Sequence, residues 1–124
     1  MAVSTIKGTK AIKPTFNSSL FQGYNGSEGN EPYLYERDGI IIISGIVSPK
    51  SQLTNADDQL ICNIPSEYRP RREVHTIQQG SGSNRWDCVV KTSGAVNLQR
   101  YSNTTSNQVV PAGAYLPFCV TYIR

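Results

Sequence analysis

This chain is sparing with the residues that usually carry chemistry. Charged side chains make up 17% of its 124 positions, and it has one His, one Trp and three Cys. No apolar run approaches the roughly 18 residues of a membrane-spanning helix, so no membrane insertion is expected. The opening stretch, MAVSTIKGTKAIKPTF, has no apolar centre of signal-peptide type. Synthesis in the cytoplasm without that export route is the expectation. Cys62, Cys88 and Cys119 show no CxxC spacing, and His75 forms no Cys/His cluster with them, which argues against a zinc site. The cysteines are read as free thiols serving as small apolar residues. One disulfide with one thiol left over is the alternative.

Catalytic patterns are missing as well. No Ser sits in a G-x-S-x-G elbow, and any Ser–His–Asp arrangement would have to use His75. The acids suggest no pairing of the kind glycoside cleavage needs. Asp57 and Asp58 in NADD lack calcium-loop spacing and are read as a solvated turn. No phosphate-cradling Gly-rich motif is present. A non-enzymatic protein without a cofactor or metal is expected.

The formal charge is +3, but it is unevenly placed. Lys7, Lys10 and Lys13 lie in a leader without acids. Removing them from the 12 basic residues leaves 9 against 9 acids, so the body is neutral. A nucleic-acid protein would concentrate positive charge on its folded face, so no nucleic-acid partner is expected.

What is present is a series of short alternating segments divided by Gly, Pro, Asn and Ser. Ten Gly and seven Pro suit turns. PYLYER (32–37) leads through Asp38-Gly39, a hairpin signal, into IIIISGIV (40–47). LICNIP (60–65), REVHTIQQ (72–79), RWDCVVK (85–91), AVNLQRY (95–101) and YLPFCVTYIR (115–124) complete the set. In these, Trp86, Cys88 and Val90 share one face, as do Val96 and Leu98, and as do Leu116, Phe118, Val120 and Tyr122. Glu73, His75 and Ile77 lie opposite Val74 and Thr76. No segment holds a helical period. The pattern predicts an all-β protein: an antiparallel, jelly-roll-like β-sandwich of about seven or more strands. Residues 1–20 read as an arm or neck, and 21–124 as the head domain.

The isoleucine run breaks the alternation. Ile40, Ile42, Ser44 and Ile46 share one face, and Ile41, Ile43, Gly45 and Val47 the other. One set fills a core and the other needs a cover, because an exposed apolar strand invites association. The long loops are polar, which favours a second copy of the chain over an internal lid from the arm or Leu20-Phe21.

Several pieces in order carry a resemblance. ERDGIIIISGIV is similar to a hairpin of the form R.GG.V.LSG.V, and LICNIPSEYRPRREV to I..LP.GYRP...V, with Glu67 in place of the usual Gly. RWDCVVKTSGAVNLQ is similar to W…V.I..SG.V.L, and a TYI-type strand ends the chain. Over residues 32–124 the chain resembles the C-terminal head domain of tailed-phage receptor-binding, tail-fibre and baseplate proteins of Gram-positive type. That resemblance implies a homotrimeric head on a virion, attached to other tail or baseplate proteins and adhering to a host cell-surface glycan or teichoic-acid-type polymer. Ile41, Ile43 and Val47 are assigned to the trimer interface.

A saccharide has one apolar face and polar edges, so its site needs an aromatic surface ringed by amides, carboxylates and Arg, held on loops. The candidates are Trp86 with Asn84, Arg85 and Asp87, and Tyr101 with Arg100 and Asn103. Tyr24 and Asn25 form a third set. Trp86 as core, with Arg85 and Asp87 outward, is the competing reading. Arg69, Arg71 and Arg72 offer charge for phosphate, against a reading as solvated turn residues.

Overall fold

Period-two alternation turns successive side chains to opposite faces of a strand, and two sheets that bury one face each make a core. The computed structural model describes residues 8–54, 58–103 and 108–124. The strands are β1 (Lys10–Ile12), β2 (Thr15–Phe16), β3 (Phe21–Gly23), β4 (Tyr33–Arg37), β5 (Ile40–Pro49), β6 (Gln59–Asn63), β7 (Val74–Gln79), β8 (Arg85–Val90), β9 (Ala95–Ser102) and β10 (Leu116–Ile123). The first sheet runs β1-β4-β5-β10, with β3 also paired to β5. The second runs β2-β6-β9-β8-β7. All pairs are antiparallel, so the expected β-sandwich forms.

The hairpin β4–β5 follows from its turn. Asp38 and Gly39 both have positive φ, 51° and 83°, the combination a tight two-residue turn matches to strand twist. Glu36 helps to hold it, its Oε2 accepting the Gly39 N–H at 2.9 Å. β5 then pairs with β4, β10 and β3 along its ten residues.

The core lies between the sheets. Leu34, Ile41, Ile43, Val47, Leu116, Phe118 and Val120 come from the first sheet, and Ile61, Cys62, Trp86, Cys88, Val90, Val96 and Leu98 from the second. Trp86 packs edge-on to Phe118, with ring centroids 5.9 Å apart.

Three expectations are corrected. Ile41, Ile43 and Val47, assigned to a trimer interface, are fully buried inside the single chain. They face the second sheet, and each such burial contributes about 1.5–3 kcal/mol to folding. The uncovered face is the other one, where Ile40 and Ile42 are 49% and 39% exposed. The division at residue 20 also fails over residues 10–20. β1 pairs with β4 in the first sheet and β2 with β6 in the second, with the buried Pro14 between them. Residues 1–7, including Lys7, lie outside the described residues.

The third correction concerns Tyr101. Strict alternation from Val96 and Leu98 would place it with Asn97 and Gln99 on the outer face. Arg100 instead adopts φ 54°, and the β8–β9 register shifts between Arg85 and Asp87. This bulge adds one residue and turns Tyr101 inward, where it is 1% exposed.

Candidate functional site

The sequence-predicted sets meet at one end of β8 and β9, where Arg85 lies opposite Ser102. They do not make an aromatic platform there. Trp86 and Tyr101 are both 1% exposed and belong to the core. Arg85 and Arg100 are exposed, while Asn84 and Asn103 are half-buried, with the Asn103 Nδ2 donating to the Tyr101 hydroxyl at 3.4 Å. Asp87, expected to face outward and remain free, is 2% exposed. It does point away from the core, but cross-strand neighbours cover it. Of the third set, Tyr24 packs edge-on against Tyr115 at 5.0 Å, and Asn25 takes a left-handed turn position with φ 60°.

The outer face of the second sheet carries a half-exposed polar network. His75 Nδ1 lies 3.0 Å from Asp87 Oδ2, and its Nε2 lies 2.7 Å from Glu73 Oε2. Hydrogen bonds to both carboxylates favour the charged ring and raise the His75 pKa above its usual 6.5. Beside them, Asp58 Oδ1 accepts Asn97 Nδ2 and Gln99 Nε2, each at 2.7 Å, and Asp58 Oδ2 accepts Lys91 Nζ at 2.8 Å. These donors hold the Asp58 carboxyl down to about 2. Asp58 is exposed, as a solvated turn would be, and it also straps the β5–β6 connection to the sheet; Asp57 lies outside the described residues. Asp87 Oδ1 and Asn97 Oδ1 are buried acceptors with no hydrogen-bond partner among the described residues.

The groove that best fits a ligand lies on the other sheet. β4 has Leu34 inward, which turns Tyr33 and Tyr35 outward at 41% and 44% exposure. Their rings stack, with centroids 5.8 Å apart and planes 28° apart. Tyr33 sits opposite Ser44, and Tyr35 opposite Ile42. The turn at Glu28–Asn30 and the following Glu31 rise along one wall, and Gln78 of β7 and Pro117 and Cys119 of β10 form the other. The groove holds about 490 Å³. Glu31 is tied to Lys13 at 3.2 Å, and Asn30 Nδ2 to the Tyr24 carbonyl at 3.1 Å, so this wall is braced. Gln78 Nε2 reaches the Cys119 carbonyl at 3.5 Å and ties β7 to β10 within the second wall.

An exposed apolar row continues from this groove along the same face. Tyr35, Ile42, Ile40 and Ile123 follow one another by register, and Ile123 is 76% exposed. All three cysteines are free. Cys62 and Cys88 are buried and Cys119 is exposed. Burial pushes the Cys62 thiol up to about 12 and raises Cys88 well above its ordinary value. Among the described residues no group of His, Cys, Asp and Glu is arranged to hold a metal.

Sequence reasoning recognised β4 but passed over its tyrosines. The signal was there: two aromatics at i and i+2 around an apolar residue share a face, and in a half-buried strand that face is the wet one. In comparisons with known proteins, no family model matches the chain and no curated protein matches it.

Proposed function

We propose that this chain is a non-enzymatic adhesion head that holds a surface saccharide against the Tyr33–Tyr35 pair. The stacked pair is the observation that carries this reading. It offers a flat apolar surface to sugar C–H groups, while Ser44, Asn30, Glu31 and Gln78 supply hydroxyl, amide and carboxylate groups around it. The rest of the reading comes from the resemblance to phage receptor-binding heads: a virion protein at a fibre tip or baseplate, working as a homotrimer on a host-surface glycan. Several weak sites joined in one particle would give firm attachment. The exposed row Ile40, Ile42 and Ile123 supports a second copy as its cover.

The test is a panel of bacterial surface polysaccharides, probed with the protein and with Tyr33→Ala and Tyr35→Ala. Binding that falls about tenfold or more in either variant, with the fold retained, supports the groove. Binding unchanged in both removes it. A second reading, a purely structural virion subunit, is favoured by the isoleucine row alone. It predicts assembly without binding to any glycan in the panel.

A further inference from the structure

Arg69 and Arg71 from one turn and Arg124 from the end of the last strand line one polar pocket of about 500 Å³, with Gly39, Ser66 and Glu67 completing it. We infer that this pocket is an oxyanion site, and that its ligand is a phosphate or phosphate ester.

The argument rests on how the guanidinium groups are held. Arg69 Nε donates to the Ile64 carbonyl at 2.8 Å. That bond uses one N–H and orients the guanidinium while leaving its charge unneutralised. Gly94 makes room for it: a Cβ there would lie 2.5 Å from Arg69 Nε. Arg124 sits over the Tyr68 ring, 5.7 Å from its centroid, and its main-chain N–H donates to the Gly39 carbonyl at 2.9 Å. Tyr68 is anchored in turn, its carbonyl accepting the Tyr122 hydroxyl. Two of the three cations are thus positioned by a carbonyl and an aromatic ring. None of the three forms an ion pair with a carboxylate among the described residues.

Structural arginines commonly spend their charge on a carboxylate, whereas these three line one pocket without such a partner among the described residues. Glu67 is the one acidic side chain in the lining. Three cations thus face one acidic side chain. Planar guanidinium groups converging on one space suit the several oxygens of a phosphate, and Ser66 adds a hydroxyl donor. Arg72 does not line the pocket, so the basic run in the sequence divides: Arg69 and Arg71 belong to the site and Arg72 does not. The pocket and the tyrosine groove share no lining residue. The inference does not rest on the groove reading.

The test is a titration of the whole chain with sodium phosphate against sodium chloride at matched ionic strength, followed by NMR of the arginine Nε–H groups. Saturable shifts at Arg69, Arg71 and Arg124 with phosphate alone are expected. Arg71→Gln and Arg124→Gln should each weaken binding about tenfold, the loss of one charge-assisted hydrogen bond. Arg72→Gln and Tyr33→Ala should leave it unchanged. A glycerol phosphodiester that competes with phosphate would identify a polymer backbone as the source, and a probe restricted to phosphate monoesters would identify a free phosphate group. Shifts no larger than those with chloride, or an equal loss from Arg72→Gln, would overturn the site.

Discussion

The imidazole of His75 is clasped between two carboxylates of unlike exposure: Asp87 Oδ2 at 3.0 Å on Nδ1, with only 3% of its side chain exposed, and Glu73 Oε2 at 2.7 Å on Nε2, about half exposed. Because the folded pKa of His75 is raised above its unfolded value of 6.5, first by Asp87 and then by Glu73, the charged ring favours the native state. The sign follows from linkage. That stabilisation is complete below about pH 6.5 and is lost as pH rises through the folded pKa. The melting temperature should fall over that window, and His75→Gln should flatten the fall. An NMR titration of the ring with a midpoint at or below 6.5 would contradict this.

Asp58 works in the opposite direction. Its carboxyl is held at about 2 by Lys91, Asn97 and Gln99, against 3.8 unfolded. The contribution is present above about pH 4 and is lost as pH falls towards 2. Asp58→Ala should reduce acid sensitivity between pH 4 and 2 in a circular-dichroism titration, and should lower stability at pH 7.

Ile42 and Ile43 are neighbours with opposite duties. Ile43→Ala should cost about 2–5 kcal/mol in urea unfolding, the range for truncating a buried isoleucine. Ile42→Asp should leave that stability nearly unchanged and alter only the mass in solution. Light scattering that shows the same assembly for wild type and Ile42→Asp would count against self-association through the outer face.

Thiol reactivity provides a check on the groove. In the native protein Cys119 should react readily with an aromatic disulfide reagent, while Cys62 and Cys88 should not, because they are buried and their thiols stay protonated. All three should react in denaturant. Cys119 lines the tyrosine groove, so a saccharide bound there should slow its modification.

Gly94 has φ +93°, and a Cβ there would lie 2.6 Å from the Ile64 carbonyl oxygen as well as against Arg69. Gly94→Ala should destabilise the protein by at least about 1–3 kcal/mol, the usual cost of such backbone strain. Thermal unfolding measures it directly.

Much of this fold was legible because alternation is a local property. The inward faces of β9 up to Leu98 and of β10, the outward Ile77 and the Asp38-Gly39 turn all follow from residues adjacent in sequence. Other features depend on what lies across the sheet. β1 and β2 have three and two residues, too short to show a period. The isoleucine run is apolar on both faces, so nothing within it says which face meets the second sheet. Asp87 and Asn97 lie on the polar face as their positions suggest, yet His75, Asp58 and their neighbours bury them. Tyr101 follows a bulge that no residue type announces, since Arg rarely marks a left-handed position. The candidate site was missed for a related reason. Trp86 and Tyr101 carry the flanking polar groups a sugar site needs but turn inward, whereas Tyr33 and Tyr35 turn outward on β4 and draw their polar groups from other elements.

The crossing at Pro14 has a mechanical consequence. Pulling on the chain at Lys10 loads β1 against β4, and once β1 yields the same pull reaches β2 and its pairing with β6. Tension is resisted in turn by one sheet and then by the other, so the amino-terminal segment acts as a two-stage fastening between the two layers of the sandwich.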